Sequence, residues 1–76
     1  MSIKEKVASI LKEVTPAKNL EGINDIVEGG YLDSFELMAL IANLSETFNI
    51  EITFEEIIPE NFNSIDAIAS MVEKLK

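Results

Sequence analysis

Ser34-Phe35-Glu36-Leu37-Met38-Ala39-Leu40-Ile41-Ala42-Asn43-Leu44-Ser45-Glu46-Thr47-Phe48 is the segment on which the fold turns. Leu37, Leu40, Ile41, Leu44 and Phe48 recur three and four positions apart, with no Pro or Gly among them. That spacing lines one face of an α-helix and predicts a helix over the whole segment. Just upstream, Gly29-Gly30 marks a sharp turn, and residues 16 to 32 form a long mixed connection in which Leu20, Ile23, Ile26 and Val27 can drop into a core. A loop of that length in a small protein packs with its own side chains or carries function.

Further out, Ser2-Ile3-Lys4-Glu5 reads as a capping box, with Ile3, Val7, Ile10, Leu11 and Val14 following at helical spacing. A first helix runs from Ile3 to Val14, and Thr15-Pro16 stops it. Downstream, Ile50-Glu51-Ile52 alternates like a strand, but three residues without a partner strand make an extended connector. Thr53-Phe54-Glu55-Glu56 is a second capping box, opening a helix that Pro59 cuts short. Asn63 then caps a final helix carrying Ile65, Ile68, Ala69, Val72 and Leu75 on one face. The expected fold is all-α: a four-helix bundle of three main helices and one short one, with a long loop between the first and second. Residues 1–76 are read as a single domain.

The chain has 76 residues, neither Cys nor His, and a net charge of -8. Disulfides, thiolate nucleophiles and any triad that needs an imidazole base are therefore excluded. All six cations are lysines near the ends, Lys4, Lys6, Lys12, Lys18, Lys74 and Lys76, while the twelve carboxylates from Glu21 to Glu73 have no cation among them. Such a surface repels phosphate backbones and anionic lipid, which argues against nucleic-acid and membrane-surface binding and for basic protein partners, or for simple solubility. No apolar run is long enough to span a bilayer, and Met1-Ser2-Ile3-Lys4 lacks a secretory apolar region, so membrane insertion is not expected and the chain is read as cytoplasmic.

Asp33-Ser34 falls where the long loop meets the second helix. Unpaired amides and the positive end of the helix dipole favour a phosphate at such a junction by about 0.3 to 1 kcal/mol. A serine there is open and suited to a phosphodiester, although either residue could be an ordinary N-cap. The surrounding residues go further. Leu32-Asp33-Ser34-Phe35-Glu36 resembles the attachment motif of acyl and peptidyl carrier proteins, Asp-Ser followed by a large apolar residue. Phe48-Asn49-Ile50-Glu51-Ile52 is similar to that family's Phe-Asp-Ile-Glu-Ile segment at the same distance from the serine, and Asn63-Ser64-Ile65-Asp66-Ala67-Ile68 to the start of its last helix. The resemblance spans nearly the whole chain, in helix order and long first loop as well as in motif.

The resemblance implies that Ser34 is esterified by a 4'-phosphopantetheine arm, transferred from coenzyme A by a separate magnesium-dependent phosphopantetheinyl transferase. The arm's thiol then carries acyl or aminoacyl groups as thioesters between enzymes. Neither enzyme activity nor a bound metal is implied for the chain itself, and the absence of His is no objection because the transferase supplies the catalysis. Asp33 matches the family position beside the serine, where it caps the helix or assists metal-dependent transfer. By the same analogy Phe35, Met38 and Ala42 occupy an exposed stripe that docks on acyl- or aminoacyl-activating and acyl-transferring enzymes, with core packing as the alternative for Met38. Glu36 and Glu46 match acidic positions that meet basic docking patches. The chain departs from the fatty-acid pattern in that Ala39 and Asn43 bring less charge to the second helix, while Glu55, Glu56 and Glu60 move acidity to the third. Leu-Asp-Ser-Phe is closer to stand-alone aminoacyl carriers, including those handling D-alanine, or to specialised polyketide carriers, than to fatty-acid carriers. A monomer is expected. The competing reading is a non-covalent acidic helical adaptor for basic partners. A calcium-binding module is weaker, because Asp25, Glu28 and Asp33 share a loop without EF-hand spacing.

Overall fold

Each helix begins where local chemistry lets it begin. The computed structural model describes residues 2–76. Helix α1, Ile3–Val14, starts at Ser2, whose hydroxyl accepts from the Glu5 amide while the Glu5 carboxylate accepts from the Ser2 amide at 2.9 Å. Helix α2, Ser34–Phe48, starts at Asp33 and ends at Asn49, which takes the left-handed conformation with φ 54. Asn tolerates that region better than most residues. Helix α3, Pro59–Phe62, and helix α4, Ile65–Leu75, complete the set. Among the described residues the protein is all helical, with no strand, and Ile50-Glu51-Ile52 is the extended connector expected of it.

Two details differ from the sequence expectation. The segment after Thr53 forms only a 3₁₀ turn, Phe54–Glu56, and Pro59 does not cut a helix short but begins one. At the first helical position the missing proline N–H would have had no partner anyway, and the fixed φ suits the helix. The cap of α4 is Ser64, whose hydroxyl accepts from the Ala67 amide at 3.0 Å, and not Asn63. Asn63 ends α3, and its side chain faces the long loop instead.

Helix α1 packs against both α2 and α4, and α3 packs on α4. The core draws Val7, Ile10 and Leu11 from α1, Leu40, Ile41 and Leu44 from α2, Phe62 from α3, and Ile68, Met71 and Val72 from α4. The long loop contributes Leu20, Ile26 and Leu32, with Ile23 and Val27 half-buried against the same cluster. Three apolar anchors spread along that loop make it a packed layer of the core, so its last residues deliver α2 from a fixed origin.

Candidate functional site

The junction of loop and α2 is built by a reciprocal cap. The Asp33 carboxylate accepts from the Glu36 amide at 2.7 Å, and the Glu36 carboxylate accepts from the Asp33 amide at 3.1 Å. Asp33 is therefore the N-cap, and Ser34 is the first helical residue. Ser34 is exposed, and among the described residues its hydroxyl enters no hydrogen bond. The first amides of α2, at Ser34 and Phe35, have no carbonyl one turn before them, which leaves the positive end of a 15-residue helix at the serine.

These features fit an arm joined through a phosphodiester. The hydroxyl is accessible, the first-turn amides favour the phosphate charge, and the nearest acid, Asp33, has one carboxylate oxygen turned onto the helix amide. The same carboxylates, Asp33 and Glu36, oppose capture of a free anion, so the site suits a covalent attachment better than reversible phosphate binding. A surface recess of about 430 Å³ lies between the starts of α1 and α4 and the Glu21–Asn24 turn, and Ser34 is not among its lining residues.

The approach to Ser34 is pinned by side chains that sequence reading did not single out. The Asn63 side-chain carbonyl accepts from the Val27 amide at 3.0 Å and the Glu28 amide at 3.1 Å, and its NH₂ donates to the Glu28 carboxylate at 2.9 Å. The Asn63 backbone carbonyl accepts from the Ile26 amide. Lys18 donates to the Tyr31 carbonyl at 2.7 Å. Between these ties the chain reverses at Gly29-Gly30, with Gly30 at φ +76 and Gly29 so close to Asp25 that an added Cβ would lie 2.6 Å from its carbonyl oxygen. Leu32, just before the cap, is buried. Its size is thus a packing matter and says little about cargo.

Phe35, Met38 and Ala42 all lie exposed on α2, with Phe35 at 83% and Met38 at 62%, so Met38 does not turn into the core. Glu46 and Glu55 are exposed. Glu36 and Glu56 are half-buried and have structural work of their own: Glu36 closes the cap of α2, and the Glu56 carboxylate accepts from both the amide and the hydroxyl of Thr53. Those two hydrogen bonds hold the Glu56 carboxyl below the ordinary glutamate range. Asp25, Glu28 and Asp33 do not converge, and no cluster of three potential metal ligands forms among the described residues. Phe54, 90% exposed, is a surface feature that sequence reading missed. The available signal was that it belongs to no helical face of apolar residues.

The sequence profile described as the phosphopantetheine attachment site matches residues 2–72. The D-alanyl carrier proteins of Streptococcus pyogenes serotype M5 (strain Manfredo) and serotype M49 (strain NZ131) are each 31% identical over 77 aligned positions, covering 100% of this chain and 98% of the relative. Proteins of this family are generally non-catalytic and work with a phosphopantetheinyl transferase and acyl-handling enzymes. The match decides against the non-covalent adaptor reading. The chain belongs to the phosphopantetheine attachment-site family and is an acyl or aminoacyl carrier whose covalent cofactor is 4'-phosphopantetheine.

Proposed function

We propose that Ser34 is the residue that bears the arm, and that residues 1–76 act as one domain that presents a tethered aminoacyl group, D-alanyl foremost, to partner enzymes. One observation carries the assignment of Ser34. Asp33 takes the N-cap, so the serine is relieved of the structural duty that such residues usually perform and stands exposed at the positive end of α2. When bound, the arm supplies a thiol that holds the cargo as a thioester.

The chain's own residues position and present. Asp33 fixes the first turn of α2, and its second carboxylate oxygen is available to the transferase's magnesium ion. Phe35, Met38 and Ala42 supply the apolar stripe for docking, with Glu46 and Glu55 at its acidic margin and Glu36 and Glu56 held back in their caps. No group of the chain acts as nucleophile, acid or base on the cargo. The protein works as a cytoplasmic monomer, in keeping with its charge of -8. Among the described residues no helix is long and apolar enough to cross a membrane.

The D-alanyl assignment rests on the relatives' names and on Phe35 after the serine. Intact mass after incubation with coenzyme A, magnesium and a transferase tests the attachment: wild type gains one arm, and Ser34→Ala gains none. Equal gains in both would overturn it. Release of thioester-bound cargo from carrier isolated from its host tests the rest. D-alanine is expected, and long saturated acyl chains alone would refute the aminoacyl reading.

A further inference from the structure

We propose that Phe54 is a docking anchor whose ring enters an apolar hollow, rimmed by lysine or arginine, on the phosphopantetheinyl transferase that modifies this chain. The inference rests on the reading of Ser34 as the loaded residue. Phe54 is 90% exposed, more than Phe35, Met38 or Ile58, the other large apolar side chains at the surface. Its neighbours Ile52 and Ile57 pack against the core, whereas Phe54 opens the 3₁₀ turn and points away from it. The turn does not need the ring, because Thr53 and Glu56 close it with their own hydrogen bonds. A phenyl group in water with no structural task is a candidate interface anchor, since aromatic residues are enriched among the side chains that dominate binding.

The surroundings select the partner. Glu51, Glu55 and Glu60, within six residues of Phe54 in the chain, are exposed, and no cation occurs between Glu21 and Glu73. A second copy of this chain would bring one acidic collar against another, with a net charge of -8 on each molecule. Anionic lipid and nucleic acid fail for the same reason. The transferase must hold coenzyme A, a polyphosphate, beside Ser34, and the cations that bind such an anion also complement this collar. A standard interface covers about 800 Å² of each partner. A round patch of that area is about 30 Å across, wider than the roughly 21 Å from the first to the last residue of the 15-residue α2, so a partner that covers Ser34 at one end of the helix is broad enough to extend past the other.

The test is steady-state kinetics of arm transfer to the full chain, using the transferase from the same host, varying carrier concentration and reading product by mass. Phe54→Ser should raise KM about 10- to 30-fold with kcat unchanged, the scale of losing one aromatic anchor. Phe54→Leu should recover most of that loss. The melting temperature of Phe54→Ser should match wild type, because the ring packs on nothing. Glu55→Gln with Glu60→Gln should flatten the fall of kcat/KM with added salt. A wild-type chain that never gains the arm removes the reading of Ser34, and this inference with it. If wild type is loaded while Phe54→Ser keeps KM within about twofold, or loses kcat alone, the Phe54 anchor is wrong and the Ser34 assignment stands. A wild-type dimer that Phe54→Ser dissociates would also overturn it, by making a second copy the occupant.

Discussion

Removing the Asn63 side chain should loosen the loop that leads to Ser34 and lower the stability of the whole domain. Asn63→Ala deletes three hydrogen bonds, two accepted from the Val27 and Glu28 amides and one donated to the Glu28 carboxylate, while the backbone bond from Ile26 to residue 63 survives. Net contributions of about 0.5 to 1.5 kcal/mol each, toward the low end for the exposed pair at Glu28, sum to about 2 to 3 kcal/mol. The half-buried Val27 amide, left without a partner, keeps the figure from being smaller. At about 4 to 8 °C per kcal/mol for a domain of this size, the melting temperature should fall by about 8 to 24 °C. Asn63→Asp separates acceptor from donor: it keeps both amide contacts but sets a carboxylate against Glu28, whose oxygen is 2.9 Å from the present NH₂. Such a like-charge pair raises the folded-state pKa of one member, so its destabilisation is present at neutral pH and relieved as pH falls through that raised value. Thermal unfolding of wild type and both variants from pH 7 down to pH 4, with amide exchange at Val27 and Glu28, measures all of this. A loss under about 0.5 kcal/mol in Asn63→Ala, or unaltered exchange at both amides, would refute the reasoning.

Gly30→Ala places a Cβ in open space but strains a backbone at φ +76, so it should cost about 1 kcal/mol, and Gly30→Asn less. Gly29→Ala meets the Asp25 carbonyl and the Tyr31 ring, so it should cost more and displace the turn; denaturant unfolding of the three variants orders them. Carboxyl-carbon NMR titration should place the midpoints of Glu5 and Glu56 below 4.5, each lowered by its cap residue, Ser2 or Thr53. A depressed folded pKa adds stability that is present above the ordinary value and lost as pH falls through the folded one, so Glu56→Gln should lessen acid sensitivity below pH 4.5. Repulsion among the twelve central carboxylates should make the melting temperature rise with salt as the screening length shortens from about 30 Å to about 8 Å. The exposed Lys4–Asp66 pair is too weak to reverse that trend, and a flat salt response in calorimetry would refute it.

Where structure followed directly from sequence, a short-range rule was sufficient. The bounds of α1 and α2 came from apolar spacing and caps that sit within four residues of the groups they satisfy. Asp33-Ser34 was legible for the same reason, since a helix start is a local event, although sequence alone left open which of the two would cap it. The geometry of the Asp33–Glu36 pair decides that question.

The misreadings share a different cause. Asn63 fits the pattern of an N-cap, and Ser64 fits it equally; the choice depends on amides at positions 27 and 28, thirty-six and thirty-five residues away, which claim the Asn63 side-chain carbonyl first. Once Asn63 is held by the loop, Ser64 is the residue left to cap α4, and α3 is confined between Pro59 and Phe62. Leu32 and Phe35 make the same point at the site itself. Both are large apolar residues beside Asp33-Ser34, and neither has a helical partner that distinguishes inside from outside. The loop's descent into the core buries Leu32 and the first turn of α2 sends Phe35 into solvent, so of the two only Phe35 is accessible to another protein.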